Sequence, residues 1–441
     1  MGKKNLKIRS EYVTRIEGHG HIWVEVKNGK IANCRLEIVE SPRFFESFVR
    51  GREWWEMPWI TSRICGICSH SHMLTSLKAV EDALDVEISE QTYILRTLVD
   101  DAEQLESHIL HVAYLVAPDL FGVPSVISLT EIHPELVKAA LRLKRMANNI
   151  LLITTGHEVH SMRMVVGGFT MWPTKAELES IKQSIDERMD DFMLLVNTVA
   201  ENVEKFPAFT RETEYISLKH EKEFPFYDGE IHSSDTKKEY GNSEYKSMVN
   251  EYVVPWSTCK RSKFQRETYM VGSLARCNNN PQLITGLAKE IADKFGYNAP
   301  NYNPFFNNVC QLVETALCLE RTKRLCDELI NRGPEKEPAP EIKVKAGSGI
   351  GVTEAPRGIL FHDYTFDEDG KCIDANCVIP TNQNVANLEE DMKVIVPMLM
   401  DEGKDQENIQ FYLEMLMRAY DPCISCSVHT VFLKKKGESN G

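Results

Sequence analysis

Arg63-Ile64-Cys65-Gly66-Ile67-Cys68-Ser69-His70-Ser71-His72, and near the far end of the chain Asp421-Pro422-Cys423-Ile424-Ser425-Cys426-Ser427-Val428-His429, decide how this sequence is read. Each array carries a Cys-x-x-Cys pair with histidine close behind. Four thiolates converging on one point repel one another unless a soft cation neutralises them, which selects zinc, iron or nickel over magnesium or calcium. Zinc ribbons place their two pairs about 15 to 20 residues apart, whereas Cys68 and Cys423 are separated by 355 positions (423 − 68). That spacing disfavours a local zinc knuckle. A site closed by both ends of the chain ties down the whole fold, which suits a buried catalytic centre; a zinc-stabilised scaffold is the competing reading.

Composition narrows the field. With 441 residues, 42% hydrophobic and 26% charged, the chain can bury a large core or two smaller ones. A net charge of −14 argues against a nucleic-acid surface, because neutralising phosphates needs clustered Lys and Arg, and Lys434-Lys435-Lys436 is only a short run. No stretch approaches the ~20 consecutive apolar residues that cross a bilayer, so no direct membrane span is expected. Met1-Gly2-Lys3-Lys4 is not followed by a hydrophobic segment, and the expectation is a cytoplasmic protein. Twelve cysteines without a secretion signal favour a reducing compartment, where thiols serve as metal ligands more often than as disulfides. Cys34, Cys259, Cys277, Cys310, Cys318, Cys326, Cys372 and Cys377 are scattered singly and read as small buried hydrophobes. Iron–sulfur clusters need grouped thiolates, so any electron relay is expected on another polypeptide.

Along the chain, the alternation His21-Ile22-Trp23-Val24-Glu25-Val26 before Asn28-Gly29-Lys30 predicts strand, hairpin turn and strand in an N-terminal β region, about 6–40. Ile94, Leu98, Ala102, Leu105, Ile109, Val112 and Val116 recur at helical spacing and predict a long helix ended by Pro118. A second helix is expected from about Pro134 to Met164. A third starts at Thr174, whose capping box with Glu177 precedes Leu178, Ile181, Ile185, Met189, Phe192 and Val196. Residues 206–260 read as an irregular excursion with short strands. Helical periodicity returns at 282–295 and from Pro304 to Asn331, and Gly333-Pro334 marks a stop. Residues 346–381 read as strands and turns, and a last helix runs from about Gln406 to Tyr420. The expected fold is α+β and mainly helical: one domain over 1–441, a long-helix bundle core at about 72–333, peripheral small sheets, a C-terminal β/loop and helix region at 346–429, and a metal site closed by the two arrays.

Arg63-x-Cys-Gly-x-Cys-x-x-x-His72 and Asp421-Pro-Cys-x-x-Cys-x-x-His429 resemble, in spacing and order, the two signatures of nickel–iron hydrogenase large subunits. Arg15-Ile16-Glu17-Gly18-His19, Arg43-Phe44-Phe45-Glu46, Glu354-Ala355-Pro356-Arg357-Gly358 and Ile379-Pro380-Thr381 look like the family's intermediate motifs in the family's order, so the resemblance covers essentially the whole chain. Tyr269-Met270-Val271-Gly272-Ser273-Leu274-Ala275-Arg276 and the compact length resemble the cytosolic multimeric branch, of coenzyme-reducing or heterodisulfide-reductase-linked type.

The resemblance implies reversible heterolytic cleavage of dihydrogen at a nickel–iron centre with carbon monoxide and cyanide on the iron. Electrons would pass to an iron–sulfur small subunit and through further electron-transfer subunits to a soluble carrier. By position, Cys65 and Cys423 would be terminal nickel thiolates, and Cys68 and Cys426 would bridge nickel to iron. Splitting dihydrogen yields a proton needing a base within hydrogen-bond reach, and Glu17 matches the family's proton-relay glutamate. Arg357 matches the arginine over the open face of the metals, where it would orient Asp119 and Asp421 by charge-assisted bonds; Ala355 and Pro356 share its motif. Pro380 and Thr381 match positions around the diatomic ligands, with Thr381 a donor to cyanide. Glu46, His429 and the backbone carbonyl of Cys377 match a second site for a hard cation, magnesium or iron. His72 is expected to hydrogen-bond a cysteine sulfur, and His19, His70 and His160 to be structural.

The chain continues beyond His429 through a tail, residues 430–441, that the family's maturation protease would remove; nickel-insertion proteins are implied as further partners. A catalytically silent, hydrogenase-like structural or coupling subunit is the other alternative. Such proteins generally lack the full set of four cysteines.

Overall fold

Strand alternation at the N-terminus produces a three-stranded antiparallel sheet of Leu6–Ser10, Gly20–Lys27 and Lys30–Ile38 in that order. Asn28 and Gly29, both at positive φ, make the tight turn between the second and third strands. The computed structural model describes residues 5–428, so His429 and the tail 430–441 lie outside the described residues. Ile8, Ile22, Val24, Leu36 and Ile38 turn one face of this sheet into the core. The connection between its first two strands contains Glu17, which forms a backbone bridge with Cys423.

Behind the first cysteine array runs a helix, Ser69–Leu84, that periodicity did not predict. Almost every residue on it is buried, polar ones included, so no amphipathic stripe marks it in the sequence. It lies directly on the strand Gly347–Ala355. A Cβ added at Gly349 or Gly351 would sit 2.2 Å from the Ala79 carbonyl or 1.9 Å from the Thr75 carbonyl. Glycine at alternate positions therefore lets a helix rest on strand backbone, and that contact sets Cys68, at the helix start, against the Ala355–Gly358 turn that carries Arg357. The strand pairs antiparallel with Gly358–Phe366, which pairs with Cys372–Val378.

The helix predicted to end at Pro118 continues through it. Glu90–Ile109 passes into a π-helical turn, Leu110–Val116, and then a short helix, Ala117–Leu120, where proline stands in the first turn. A proline there has no N–H to lose. The Glu90–Ile109 helix packs against Pro134–Thr155 and Asn307–Arg332. Pro134–Thr155 stops at Gly156, φ +79°, short of the expected Met164. Thr174 and Glu177 form the expected reciprocal cap, but the helix they start breaks into Lys175–Asp186 and Met189–Ala200. The 206–260 excursion supplies strands to a four-stranded sheet and a separate hairpin, Asn250–Val254 with Ser257–Lys263. Strand structure ends at Val378, and Pro380 opens a 22-residue helix, Pro380–Asp401, beyond the elements expected from the sequence. The final long helix, Gln406–Ala419, delivers the chain to the second array. Among the described residues no helix is long and apolar enough to cross a membrane.

Candidate metal centre

The two cysteine arrays meet. The sulfurs of Cys65, Cys68, Cys423 and Cys426 all lie within 4.8 Å of one another, every one buried. Cys65 faces Cys423 at 3.6 Å, Cys68 faces Cys426 at 3.9 Å, and Cys423 and Cys426 are 2.9 Å apart. Cys65 is extended and Cys68 caps the Ser69–Leu84 helix, while Cys426 lies in the short turn of helix Ile424–Ser427. The thiols are not equivalent. Burial opposes ionising Cys65, yet hydrogen bonds from Cys423, Cys426 and Cys68 carry it well below the usual thiol range. Backbone N–H groups of Ile67 and Cys68 add to this at 3.2 and 3.0 Å. Bonds to Cys423 and Cys426 favour ionising Cys68, but its pairing with Cys65 and burial push it up to about 11. Four thiols so packed cannot all ionise without a cation, whereas a soft transition metal accepts all four; the donor set fits a thiolate-bound metal centre.

Arg43 straps the arrays together. Its guanidinium donates to the carbonyls of Ile64 at 2.7 Å, Arg63 at 2.9 Å and Ser425 at 3.2 Å, and its own N–H reaches the Val428 carbonyl at 2.6 Å. Three aligned carbonyls occupy one planar fork, a geometry suited to arginine.

Glu17 stands at the sulfurs. Its Oε2 accepts from the Cys423 thiol at 3.2 Å and from the Ser425 N–H at 3.0 Å, while the Ile424 N–H donates to the Glu17 carbonyl at 3.0 Å. Gly18 makes this approach possible. With φ +80° and a hypothetical Cβ only 2.6 Å from Ile424 Cβ, no larger residue fits without displacing the second array.

Arg357 is buried and bonded to Asp421 Oδ1 at 2.9 Å and Ser107 Oγ at 3.2 Å, and its Nε has no partner among the described residues. Burial works against its charge, but Asp421 and the cysteines raise its pKa. The expectation that Arg357 would also orient Asp119 is not met: Asp119 pairs with Arg418 and with Arg15 instead. Asp119 lies in the short helix Ala117–Leu120, and Arg418 and Arg15 between them occupy both of its carboxylate oxygens. Gln311 and His111 complete the Asp421 cluster; a lone Gln on a core helix carries no motif, and His111 stands in His111-x-x-x-Leu115-x-x-Pro118-Asp119, where the sequence gives it no role of its own.

Thr381, in the first turn of the Pro380–Asp401 helix, accepts the Cys423 N–H at 3.0 Å. Its hydroxyl proton is thereby directed elsewhere. Pro380, Ala355 and Pro356 are brought to the same neighbourhood by the elements around them; the carbonyls of Ala355 and Pro356 each accept from Arg276. Glu46 is 5% exposed and takes two donors on one oxygen, Lys260 Nζ at 3.1 Å and the Cys377 N–H at 3.0 Å. Lys260, absent from the sequence reading, also bonds Glu251 at 3.2 Å. His72 Nδ1 meets His362 Nε2 at 3.1 Å, and His362 continues to the Tyr364 hydroxyl at 2.5 Å. His70 is held by Glu103 and Thr155, and His19 by Glu40, as structural histidines.

Fold and site together define a thiolate-bound transition-metal enzyme core assembled from both ends of one chain. Residues 43–137 and 209–429 match the family described as nickel-dependent hydrogenase, and residues 7–41 match one described as HoxL-like. The alpha subunit of sulfhydrogenase 2 from Pyrococcus furiosus is 33% identical, over 97% of this chain and all of that one. Subunit beta of the NAD-reducing hydrogenase HoxS from Cupriavidus necator is 30% identical, over 96% of this chain and 95% of that one. A solved structure of an NAD+-reducing [NiFe]-hydrogenase in the H2-reduced state superposes with a TM-score of 0.87 at 26% identity, covering 97% of this chain and 100% of that one. The chain belongs to the nickel-dependent hydrogenase family, as a large subunit with a nickel–iron centre. It is an oxidoreductase acting on dihydrogen.

Proposed function

We propose that Cys65, Cys68, Cys423 and Cys426 hold the nickel–iron centre, Cys65 and Cys423 as terminal thiolates and Cys68 and Cys426 as bridges, and that Glu17 moves the proton released from dihydrogen. The observation that carries this is the Glu17 carboxylate 3.2 Å from the Cys423 sulfur, inside the four-sulfur cluster. When bound, the centre supplies a redox-active, Lewis-acidic pair that polarises dihydrogen. The rest is done by this chain. Glu17 Oε2 accepts a proton at the Cys423 sulfur, and the Ser425 N–H keeps the carboxylate aimed there while it does so. Arg357, fixed by Asp421, holds a permanent positive charge against the thiolates and excludes water from that side. Asp119 keeps Arg418 and Arg15 in place behind it.

Thr381 is the proposed donor to cyanide, with Pro380, Ala355 and Pro356 forming the dry wall about the diatomic ligands. Glu46 and Glu251 against a single Lys260 leave one net negative charge, which fits a hard cation such as magnesium or iron. Glu46 would hold it with the Cys377 carbonyl and His429, and Lys260 would keep the carboxylate oriented. We place the protein in the cytoplasm, in keeping with twelve buried cysteines, none of them in a disulfide. Its partners would be an iron–sulfur small subunit and further subunits leading to a soluble carrier, with nickel-insertion proteins and a maturation protease acting earlier. Infrared spectroscopy of the purified enzyme is the test: bands from metal-bound carbon monoxide and cyanide are expected where protein does not absorb. Zinc without nickel or iron on metal analysis would replace this reading with the scaffold. Mass spectrometry of the nickel-loaded subunit should show residues 430–441 removed, and an intact C-terminus in active enzyme would refute the processing.

A further inference from the structure

Both ring nitrogens of buried His111 face hydrogen-bond acceptors, and from this we infer that His111 is an imidazolium, a fixed second cation that positions Asp421, and through it Arg357, over the metal centre. Gln311 sets the first half of the argument. Its Nε2 donates to Asp421 Oδ2 at 3.1 Å, so its Oε1 is the atom 2.5 Å from His111 Nδ1. Turning the amide over would press its oxygen against a carboxylate. An amide oxygen only accepts, so Nδ1 carries a proton. On the opposite edge Nε2 lies 2.8 Å from the Arg418 carbonyl, with Asp421 Oδ1 beyond it at 3.8 Å. Both are acceptors, so Nε2 carries a proton as well. A neutral ring owns one N–H and would leave a lone pair facing a lone pair at a position only 1% exposed.

The surroundings favour the charge. Arg418 closes the Gln406–Ala419 helix, and the residue four places on is Pro422, which has no N–H to return. Its carbonyl therefore depends on the Asp421 N–H, at 2.8 Å, and on His111. A cation at a helix C-terminus is stabilised by the unpaired carbonyls there. The charged groups facing His111 are already assigned: Asp421 is its counter-ion, Arg418 is neutralised by Asp119, and His108, three residues back on the same helix, is taken by Glu314, which Arg276 shares. Arg357 reaches Asp421 independently. The π-helical turn Leu110–Val116 widens the coil where one ring must span two neighbouring helices.

Asp421 is thus hydrogen-bonded on both oxygens, by Arg357 at Oδ1 and by Gln311 at Oδ2, with the His111 ring 3.8 Å from Oδ1 as an ion-pair partner. His111 and Gln311 touch no reacting atom and are positioning residues. Their catalytic meaning rests on the function proposed above; the charge of His111 does not.

Histidine-selective nitrogen-15 spectra of the assembled, nickel-loaded enzyme test the charge without reference to the metals. Among the histidine signals, a set protonated on both nitrogens at neutral pH is expected to vanish in His111→Gln. A bare nitrogen on His111 overturns the inference. Neutron diffraction of the wild-type enzyme gives the same answer if the variant does not assemble. In His111→Gln and Gln311→Leu we expect full metal content, kcat lower by about tenfold with an unchanged KM for dihydrogen, and displaced metal-ligand infrared bands. Unchanged kcat and unchanged bands would overturn the positioning role. Glu17→Gln should lose turnover yet keep the doubly protonated signal, which separates failure of the proton relay from failure of this inference.

Discussion

Glu17→Gln is the sharpest perturbation of this site. The amide is nearly isosteric, so its oxygen still accepts the Ser425 N–H at 3.0 Å and the 423–425 backbone stays in place. What is lost is the ability to take a proton 3.2 Å from the Cys423 sulfur. A positioned general base contributes about 10²–10⁴-fold to rate, equivalent to roughly 2.7–5.5 kcal/mol of barrier at ~1.36 kcal/mol per tenfold. The variant should therefore keep its nickel and iron, keep its thermal stability, and lose at least about a hundredfold in dihydrogen oxidation with an artificial acceptor. Exchange of dihydrogen with solvent deuterium should fall with it, because that exchange needs the proton exit but no electron transfer. Glu17→Asp, which draws the carboxylate back by one methylene, should fall between the two. Turnover and exchange within threefold of wild type, at full metal content, would refute the assignment.

Other perturbations separate the local chemistry from the scaffold. Gly18→Ala forces a left-handed backbone on alanine and a 2.6 Å contact with Ile424; it should cost at least about 1–2 kcal/mol and reduce nickel content measured by mass spectrometry, and wild-type loading would show that the Glu17 loop does not need this approach. Arg43→Ala removes three bonds from the strap between the arrays and should lower both melting temperature and metal retention on dialysis against chelator; an unchanged nickel-loss rate would show that the strap is dispensable. Burial would raise the Glu314 carboxyl, but Arg276 and His108 carry it down to about 2. Its stabilisation is thus present above its ordinary value of 4.5 and is lost as pH falls toward 2. Glu314→Gln should accordingly flatten the acid limb of a melting-temperature profile between those limits, and an unaltered slope would contradict the pairing. Cys426→Ser should abolish nickel and iron binding altogether, and retention of both would remove Cys426 from the ligand set.

Much of this was legible from the chain itself, for a definite reason. Cys-x-x-Cys spacing is local covalent geometry, and so is the alternation that makes the Gly20–Lys27 strand or the Thr174 and Glu177 cap. Periodicity failed where burial is all round, as on Ser69–Leu84, and where a helix absorbs its own breaker, as at Pro118. The alternate glycines of Gly347-Ser348-Gly349-Ile350-Gly351 were visible, but their meaning was not, because a missing Cβ announces close approach without naming what approaches.

By itself the sequence determined the chemistry available: four thiolates, an acid near the first of them in motif order, and an arginine that cannot lose its charge. Tertiary structure decided which of these groups face one another. Only packing turns Asp119 toward Arg418 and Arg15 while Arg357 takes Asp421, and only packing sets Lys260 against Glu46 and His111 between two acceptors. Charge pairing between residues tens to hundreds of positions apart depends on distance in space, which no spacing along the chain encodes.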